Sequence, residues 1–241
     1  MRYRCRTDIG LKRDENQDAV RCEYFGHNVL AVVCDGMGGE VSGREASSLA
    51  VEEFFHHFSE GYSEGLGEEA VQKLLLSSVS AANTVIYTKA RLDFNNFGMG
   101  TTCVAAFVTA DRVFIVNVGD SRAYLIADNG LYQITVDHNV ATLLFEQGKI
   151  TAEELSTHPQ KHVLIRAVGV DKTVAADTFI LEYEDKISLL LCSDGLSGYC
   201  SDDEIYSVIV GAEFDNVADD LINLALEKGG RDNVTVAVIS E

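Results

Sequence analysis

Short apolar runs and longer amphipathic stretches alternate along this chain. Segments 2–8, 18–25 and 28–35 are apolar or alternate apolar with polar, which predicts β-strands. The stretch from Thr101 to Thr135 has the pattern of a meander. Runs 101–109 and 112–118 flank a tight Ala110-Asp111 turn, and runs 122–127 and 131–135 flank Asp128-Asn129-Gly130. Asn-Gly favours a hairpin because both turn residues tolerate positive φ. Strands at 177–183, 187–193 and 234–239 complete the set.

Helical spacing fills the gaps. Ala46, Ala50, Phe54 and Phe58 recur on one face behind Ser42-Gly-Arg-Glu45, whose form is that of a capping box. A longer helix is predicted over about 68–92, with Val71, Leu75, Val79, Ala82 and Ile86 turned inward. Thr151-Ala-Glu-Glu154 and Ser201-Asp-Asp-Glu204 are two more capping boxes, and Val217, Leu221, Leu224 and Ala225 mark a final helix. The order is strands, two helices, strands, small helices, strands, two helices, strand. Hairpin connections dominate, so the sheets should be mostly antiparallel, and helix pairs over two stacked sheets would bury every apolar face.

Composition narrows the picture. The 241 residues are 46% hydrophobic, enough for one substantial core, and a single proline (Pro159) with no Gly/Ser linker speaks for one large domain. The net charge of −19 argues against nucleic acid and anionic membranes as partners. Most of these charges, such as Glu52, Glu53, Glu68 and Glu69, read as solvated helix faces. The six cysteines form no CxxC pairs, and Cys34, Cys103 and Cys192 sit in strand-like runs as small hydrophobes. The start lacks an apolar signal core and no apolar run nears the ~20 residues that span a bilayer, so a cytoplasmic protein is expected.

Five aspartates change the picture most. Asp35, Asp120 and Asp194 close apolar runs, and Asp18 and Asp232 open them. In antiparallel sheets the end of one strand lies beside the start of the next, so all five can meet on one edge. Two carboxylates ~5 Å apart repel by roughly 3 kcal/mol at an effective dielectric of ~20. A hard divalent cation such as Mg²⁺ or Mn²⁺ would relieve that repulsion. The glycines after Asp35 and Asp194 would let backbone approach the ions. Arg13 is near enough in sequence to reach the same edge and could bind phosphate bidentately. Singly, each Asp-Gly is ordinary turn chemistry; the co-occurrence carries the weight. Other signals are weaker. Gly36-Met-Gly38-Gly39 lacks GK[ST], and Val41 stands where GxGxxG needs glycine. His158 and His162 are four apart but separated by Pro159, which suits surface or flap residues. His138 after Asp137 reads as a capping or supporting residue, and His56-His57 as solvated.

The chain resembles the bacterial form of the protein phosphatase 2C-like (PPM) family of metal-dependent serine/threonine phosphatases. The resemblance rests on an ordered set: Thr7-Asp-Ile-Gly-Leu-Lys-Arg13, Asn16-Gln-Asp18-Ala19, Asp35-Gly-Met-Gly-Gly39, Gly100-Thr-Thr102, Val118-Gly-Asp-Ser-Arg-Ala-Tyr124, Asp137-His138, Arg166-Ala-Val-Gly169, Leu191-Cys-Ser-Asp-Gly-Leu196 and Gly230-Arg-Asp-Asn-Val-Thr-Val236. It implies an α+β fold, a four-layer α/β/β/α sandwich with two mostly antiparallel central sheets, forming a single catalytic domain over 1–241 with a flap around 138–172.

The resemblance also implies roles. Asp35 would bridge two Mn²⁺ or Mg²⁺ ions, Gly36 would ligate one through its carbonyl, and Asp194 and Asp232 would ligate the other. Asp18 would hold metal-bound water, and Asp120 with Asp194 would bind a third ion. Arg13 would hold the substrate phosphate, and Asn233 would support the Asp232 turn. A hydroxide bridging the metals would attack phosphoserine or phosphothreonine directly. Phosphorylated proteins, with a cognate serine/threonine kinase, would be the partners of a monomeric enzyme. Two positions depart from the family. Gln17 replaces a frequent Glu of the metal shell, which implies weaker affinity or a contact through water. Met37 replaces a histidine of many animal members, so a metal-bound water would protonate the leaving group. The alternatives are a catalytically weak phosphoprotein-binding member, which Gln17 suggests, and a small-molecule phosphatase.

Overall fold

The computed structural model describes all residues except 39, 94, 95, 97 and 185, and at 40 and 41 the backbone alone. The strands form two sheets. In the first, the spatial order is β1 (Arg2–Asp8), β11 (Val234–Ser240), β10 (Ser188–Cys192), β7 (Arg122–Ala127) and β8 (Gly130–Gln133). In the second it is β2 (Asp18–Phe25), β3 (Asn28–Met37), β5 (Cys103–Val108), β6 (Arg112–Val118) and β9 (Asp177–Glu182), with β4 (Gly100–Thr101) paired to the end of β3. Every pairing among the described residues is antiparallel.

Side-chain alternation explains why these strands read as nearly unbroken apolar runs. On β3, Val29, Ala31 and Val33 face the core between the sheets, while Leu30, Val32 and Cys34 face α1 (Glu40–Gly61) and α2 (Glu68–Leu92). On β10, Leu189 and Leu191 point between the sheets, and Leu190 and Cys192 point to α6 (Asp202–Gly211) and α7 (Val217–Glu227). Strands buried on both faces have no solvent face to keep polar. Three cores thus separate four layers, helices outside and sheets inside, as expected for the α/β/β/α sandwich. Phe54 and Phe58 of α1, and Leu75 and Ile86 of α2, are fully buried against the second sheet.

Three local expectations are corrected. α1 begins at Glu40, so Ser42 lies inside the helix and does not cap it; its hydroxyl donates to Asn96 Oδ1 at 3.3 Å. The Thr151 and Ser201 boxes do form, with both reciprocal bonds, at α4 (Ala152–Thr157) and α6. The hairpin after β7 turns on Asp128-Asn129, and the non-glycine residues described there keep negative φ; Gly130 alone takes the positive value. The predicted strand 101–109 breaks at Thr102, whose backbone N–H turns to the Asp35 carbonyl at 2.8 Å. Gly39, the end of the Asp-Gly-Met-Gly-Gly motif, lies outside the described residues.

Between β8 and β9 the chain forms α3 (Val140–Glu146) and α4, within the segment expected as a flap. Its base is tied down by bridges Asn139↔Leu164 and Thr101↔Val168. No helix among the described residues is long and apolar enough to cross a membrane.

Candidate metal centre

Strand register brings the aspartates together. Asp18 at the start of β2 sits directly opposite Asp35 near the end of β3. Asp120 follows β6, Asp194 opens the short helix α5 (Asp194–Ser197) just beyond β10, and Asp232 precedes β11. Asp35, Asp120, Asp194 and Asp232 line one cleft of ≈ 760 Å³ together with Arg13, Gln17, Gly36, Met37 and Asn233. Asp18 is buried beneath it.

Hydrogen bonds hold the Asp35 backbone and the Asp18 carboxylate in place. The Asp35 carbonyl accepts from Thr101 Oγ1 at 2.9 Å, and its N–H donates to Thr102 Oγ1 at 2.9 Å; Thr102 Oγ1 in turn meets Ser121 Oγ at 2.7 Å. Ser193 Oγ donates to Asp18 Oδ2 at 2.7 Å while accepting from the Thr235 N–H at 3.0 Å, which joins the two sheets at the floor of the site. Asn233 is a clamp. Its Oδ1 accepts from the Gln17 N–H at 2.8 Å, and its Nδ2 donates to the carbonyls of Ile9 and Glu15, both at 2.9 Å. The loop carrying Arg13 is thereby tied to the start of β11. Gln17 also serves through its backbone, accepting from the Gly36 N–H at 3.1 Å.

The glycines at Asp35-Gly36 and Asp194-Gly195 also serve the packing of the site. A Cβ on Gly36 would lie 2.0 Å from the Gly43 carbonyl oxygen, and one on Gly195 would lie 1.8 Å from that of Asn233. Each lets two backbone segments of the site close on one another. Gly195 in particular allows α5 to meet the start of β11, which brings the Asp194 and Asp232 segments into contact.

Burial and mutual repulsion dominate the electrostatics. Burial, then Asp18, Asp194, Asp120 and Asp232, push the Asp35 carboxyl well above the usual carboxylate range. Asp18 is raised to about 7, by burial first, against the hydrogen bond from Ser193. Asp120 is raised to about 8 by burial, then by Asp194 and Asp137. Among the described residues, no three carboxylate, imidazole or thiol groups already enclose one ion position. Outer oxygens are engaged instead by an arginine and a histidine: Arg13 Nη2 donates to Asp232 Oδ2 at 2.8 Å, and His162 Nδ1 lies 3.1 Å from Asp194 Oδ2.

The donor set nonetheless fits a divalent cation. Asp18 Oδ1 is buried with no hydrogen-bond partner, a costly state for a carboxylate oxygen unless a cation or water compensates it. The surrounding ligands are all oxygens, the chemistry Mg²⁺ and Mn²⁺ take.

His162 was not legible as a site residue. Its spacing from His158 suited surface or flap residues, and it is exposed as expected, but it also reaches Asp194, a hydrogen bond that raises its pKa. The supporting hydroxyls of Thr101, Thr102 and Ser193 carried no signal beyond their place in the quoted motifs. Other motif residues prove structural. Arg122 grips Asp137 through Nε at 2.9 Å and Nη2 at 2.8 Å. His138, buried, accepts from the Gly119 N–H at 3.1 Å and contacts Asp177 Oδ2 at 3.1 Å, so it supports the Asp120 corner as expected. His57 is half-buried and contacts Ser77 Oγ at 2.9 Å, while His56 is exposed.

The comparisons agree with this arrangement. The protein phosphatase 2C family profile matches residues 12–233. The serine/threonine phosphatase stp of Listeria welshimeri is 36% identical over 241 residues, covering 97% of this chain and 93% of the relative. The solved structure of serine/threonine phosphatase Stp1 from Staphylococcus aureus superposes with a TM-score of 0.91 at 37% identity, covering 98% of this chain and 93% of that one. The catalytic domain of serine/threonine protein phosphatase PstP, solved in complex with two manganese ions, gives a TM-score of 0.84 at 35% identity over 98% of this chain and 96% of that one. With an acidic edge, an α/β/β/α sandwich and full-length similarity in agreement, the chain belongs to the protein phosphatase 2C family and is a bacterial-type serine/threonine phosphatase.

Proposed function

We propose that this phosphatase is metal-dependent and works at the acidic cleft. The orphaned Asp18 Oδ1 beneath four cleft aspartates is the observation that carries the reading. Asp35, Asp194, Asp232 and the Gly36 carbonyl would hold two Mn²⁺ or Mg²⁺ ions, Asp18 would act through water, and Asp120 with Asp194 would hold a third. When bound, such ions supply Lewis acidity and a water of lowered pKa for in-line attack on phosphorus. The rest falls to the chain. Arg13, half exposed at the rim, binds two phosphate oxygens and orients the ester. Thr101 and Thr102 hold the Asp35 backbone rigid, and Asn233 keeps the Arg13 loop at the cleft. The phosphate leaves without a phosphoenzyme. Segment 138–172 acts as a flap within one catalytic domain spanning 1–241.

The substrates are phosphoserine and phosphothreonine in proteins, placed there by a serine/threonine kinase that is its cognate partner. The enzyme acts as a cytoplasmic monomer, and the net charge of −19 supports its binding neither nucleic acid nor an anionic membrane. Retention of all five aspartates and Arg13 favours turnover over mere binding, since nothing in folding requires that crowding. The test is hydrolysis of a phosphothreonine peptide in Mn²⁺. Turnover should vanish on chelation, return with Mn²⁺, and be lost in Asp194→Asn; activity surviving either treatment would refute the metal reading.

A further inference from the structure

A second cavity of ≈ 670 Å³ adjoins the cleft and shares Asp120, His162 and Asp194 with it. One wall is the flap. α4 stands over the cavity with no buried residue among those described, and α3 buries Ala141 alone. Both helices are nonetheless capped, by Thr151 and Asn139 respectively, so they are formed without a core beneath them. Their apolar residues Phe145 and Leu155 face this space, and across it lies Val136, which like Phe145 is strongly exposed for an apolar side chain. Among the described residues, and apart from Asp120, which the cavity shares with the cleft, the lining charges without an ion-pair partner are Glu146 and Asp202 against Lys161. Arg122 and Asp137 also line the cavity but neutralise each other.

We propose that this cavity is the subsite for the residue flanking the phosphorylated one in a protein substrate, and that it takes lysine or arginine. The inference rests on the phosphatase reading of the adjoining cleft. An extended peptide advances about 3.3–3.6 Å per residue, so a phosphothreonine at the aspartates carries its neighbours directly past the shared wall. Walls that are apolar with an acidic excess match a side chain with an aliphatic stem and a cationic head. A glutamate there would meet Glu146 and Asp202 unpaired.

The test uses the Mn²⁺-loaded protein, p-nitrophenyl phosphate, and phosphothreonine peptides that differ only in having Arg, Ala or Glu within two residues of the phosphothreonine. The Arg peptide should exceed the Glu peptide in kcat/KM by roughly tenfold, the size expected of two exposed charge contacts. Glu146→Lys with Asp202→Lys should abolish or reverse that order while leaving p-nitrophenyl phosphate turnover unchanged; Glu146→Gln with Asp202→Asn, which removes charge without adding any, should flatten it. Equal kcat/KM for the three peptides, or a preference untouched by both variants, overturns the subsite. Loss of turnover on every substrate by the unaltered protein would instead refute the phosphatase reading beneath it.

Discussion

Asn233 illustrates how a side chain outside any ligand set can govern a site. Its amide satisfies one N–H and two carbonyls of the loop that carries Arg13. Asparagine is required because the same side chain must both accept and donate. Replacing Asn233 by alanine should cost about 3 kcal/mol, one per lost buried hydrogen bond, measured by urea unfolding. It should also raise KM for phosphopeptides more than it lowers kcat, because Arg13 loses its anchor; an unchanged KM would separate Arg13 from the phosphate. The sequence made the aspartates and Arg13 legible because five strand-end carboxylates recur in one ordered set, although each alone is ordinary turn chemistry. It did not reveal His162 or Ser193, because an imidazole in a connecting segment and a hydroxyl beside a strand have many ordinary uses, and partners 32 and 175 residues away decide which applies.

Strands and helices were legible where burial imposes a period. α2 was predicted over about 68–92 and spans Glu68–Leu92, with its inward face as expected. Strands buried on both sides were located by apolar run length instead of alternation. Boundaries failed where a tertiary bond overruled the local pattern, as at Thr102, where the Asp35 carbonyl ends one strand and starts another. The capping-box pattern at Ser42 failed because the helix had already begun at Glu40. The close approach of α5 to β11 was invisible in sequence, since a glycine after an aspartate looks the same in any turn. It has a direct consequence. In Gly195→Ala the new methyl meets backbone that has no rotamer to yield, so the variant should lose at least 1–3 kcal/mol of stability. It should also lose most of its turnover as the Asp194 and Asp232 segments are pushed apart. Thermal melts with a peptide assay check both, and a variant of normal stability and rate would mean this contact does not set the site.

Across the whole molecule, the two sheets converge their polar ends on one edge, and the cost of that edge should be visible in stability. Asp18 and Asp120 have folded-state pKa values near 7 and 8, above the roughly 3.9 of an unfolded aspartate. A raised carboxyl stabilises the fold while protonated, so its contribution is complete below about pH 4 and is lost as pH climbs through 7–8. The melting temperature of chelated protein should therefore fall from pH 5 to pH 8.5, and Mn²⁺ should restore more of it at the upper end. A flat profile, or an Mn²⁺ effect that shrinks with pH, would contradict the crowding. The most direct measurement is anomalous diffraction from a crystal soaked in Mn²⁺. The account predicts two peaks flanking Asp35, one of them beside the Gly36 carbonyl and the other beside Asp194 and Asp232, with any third peak between Asp120 and Asp194. No peak at this edge under saturating Mn²⁺, or peaks confined to other acidic surfaces, would contradict it.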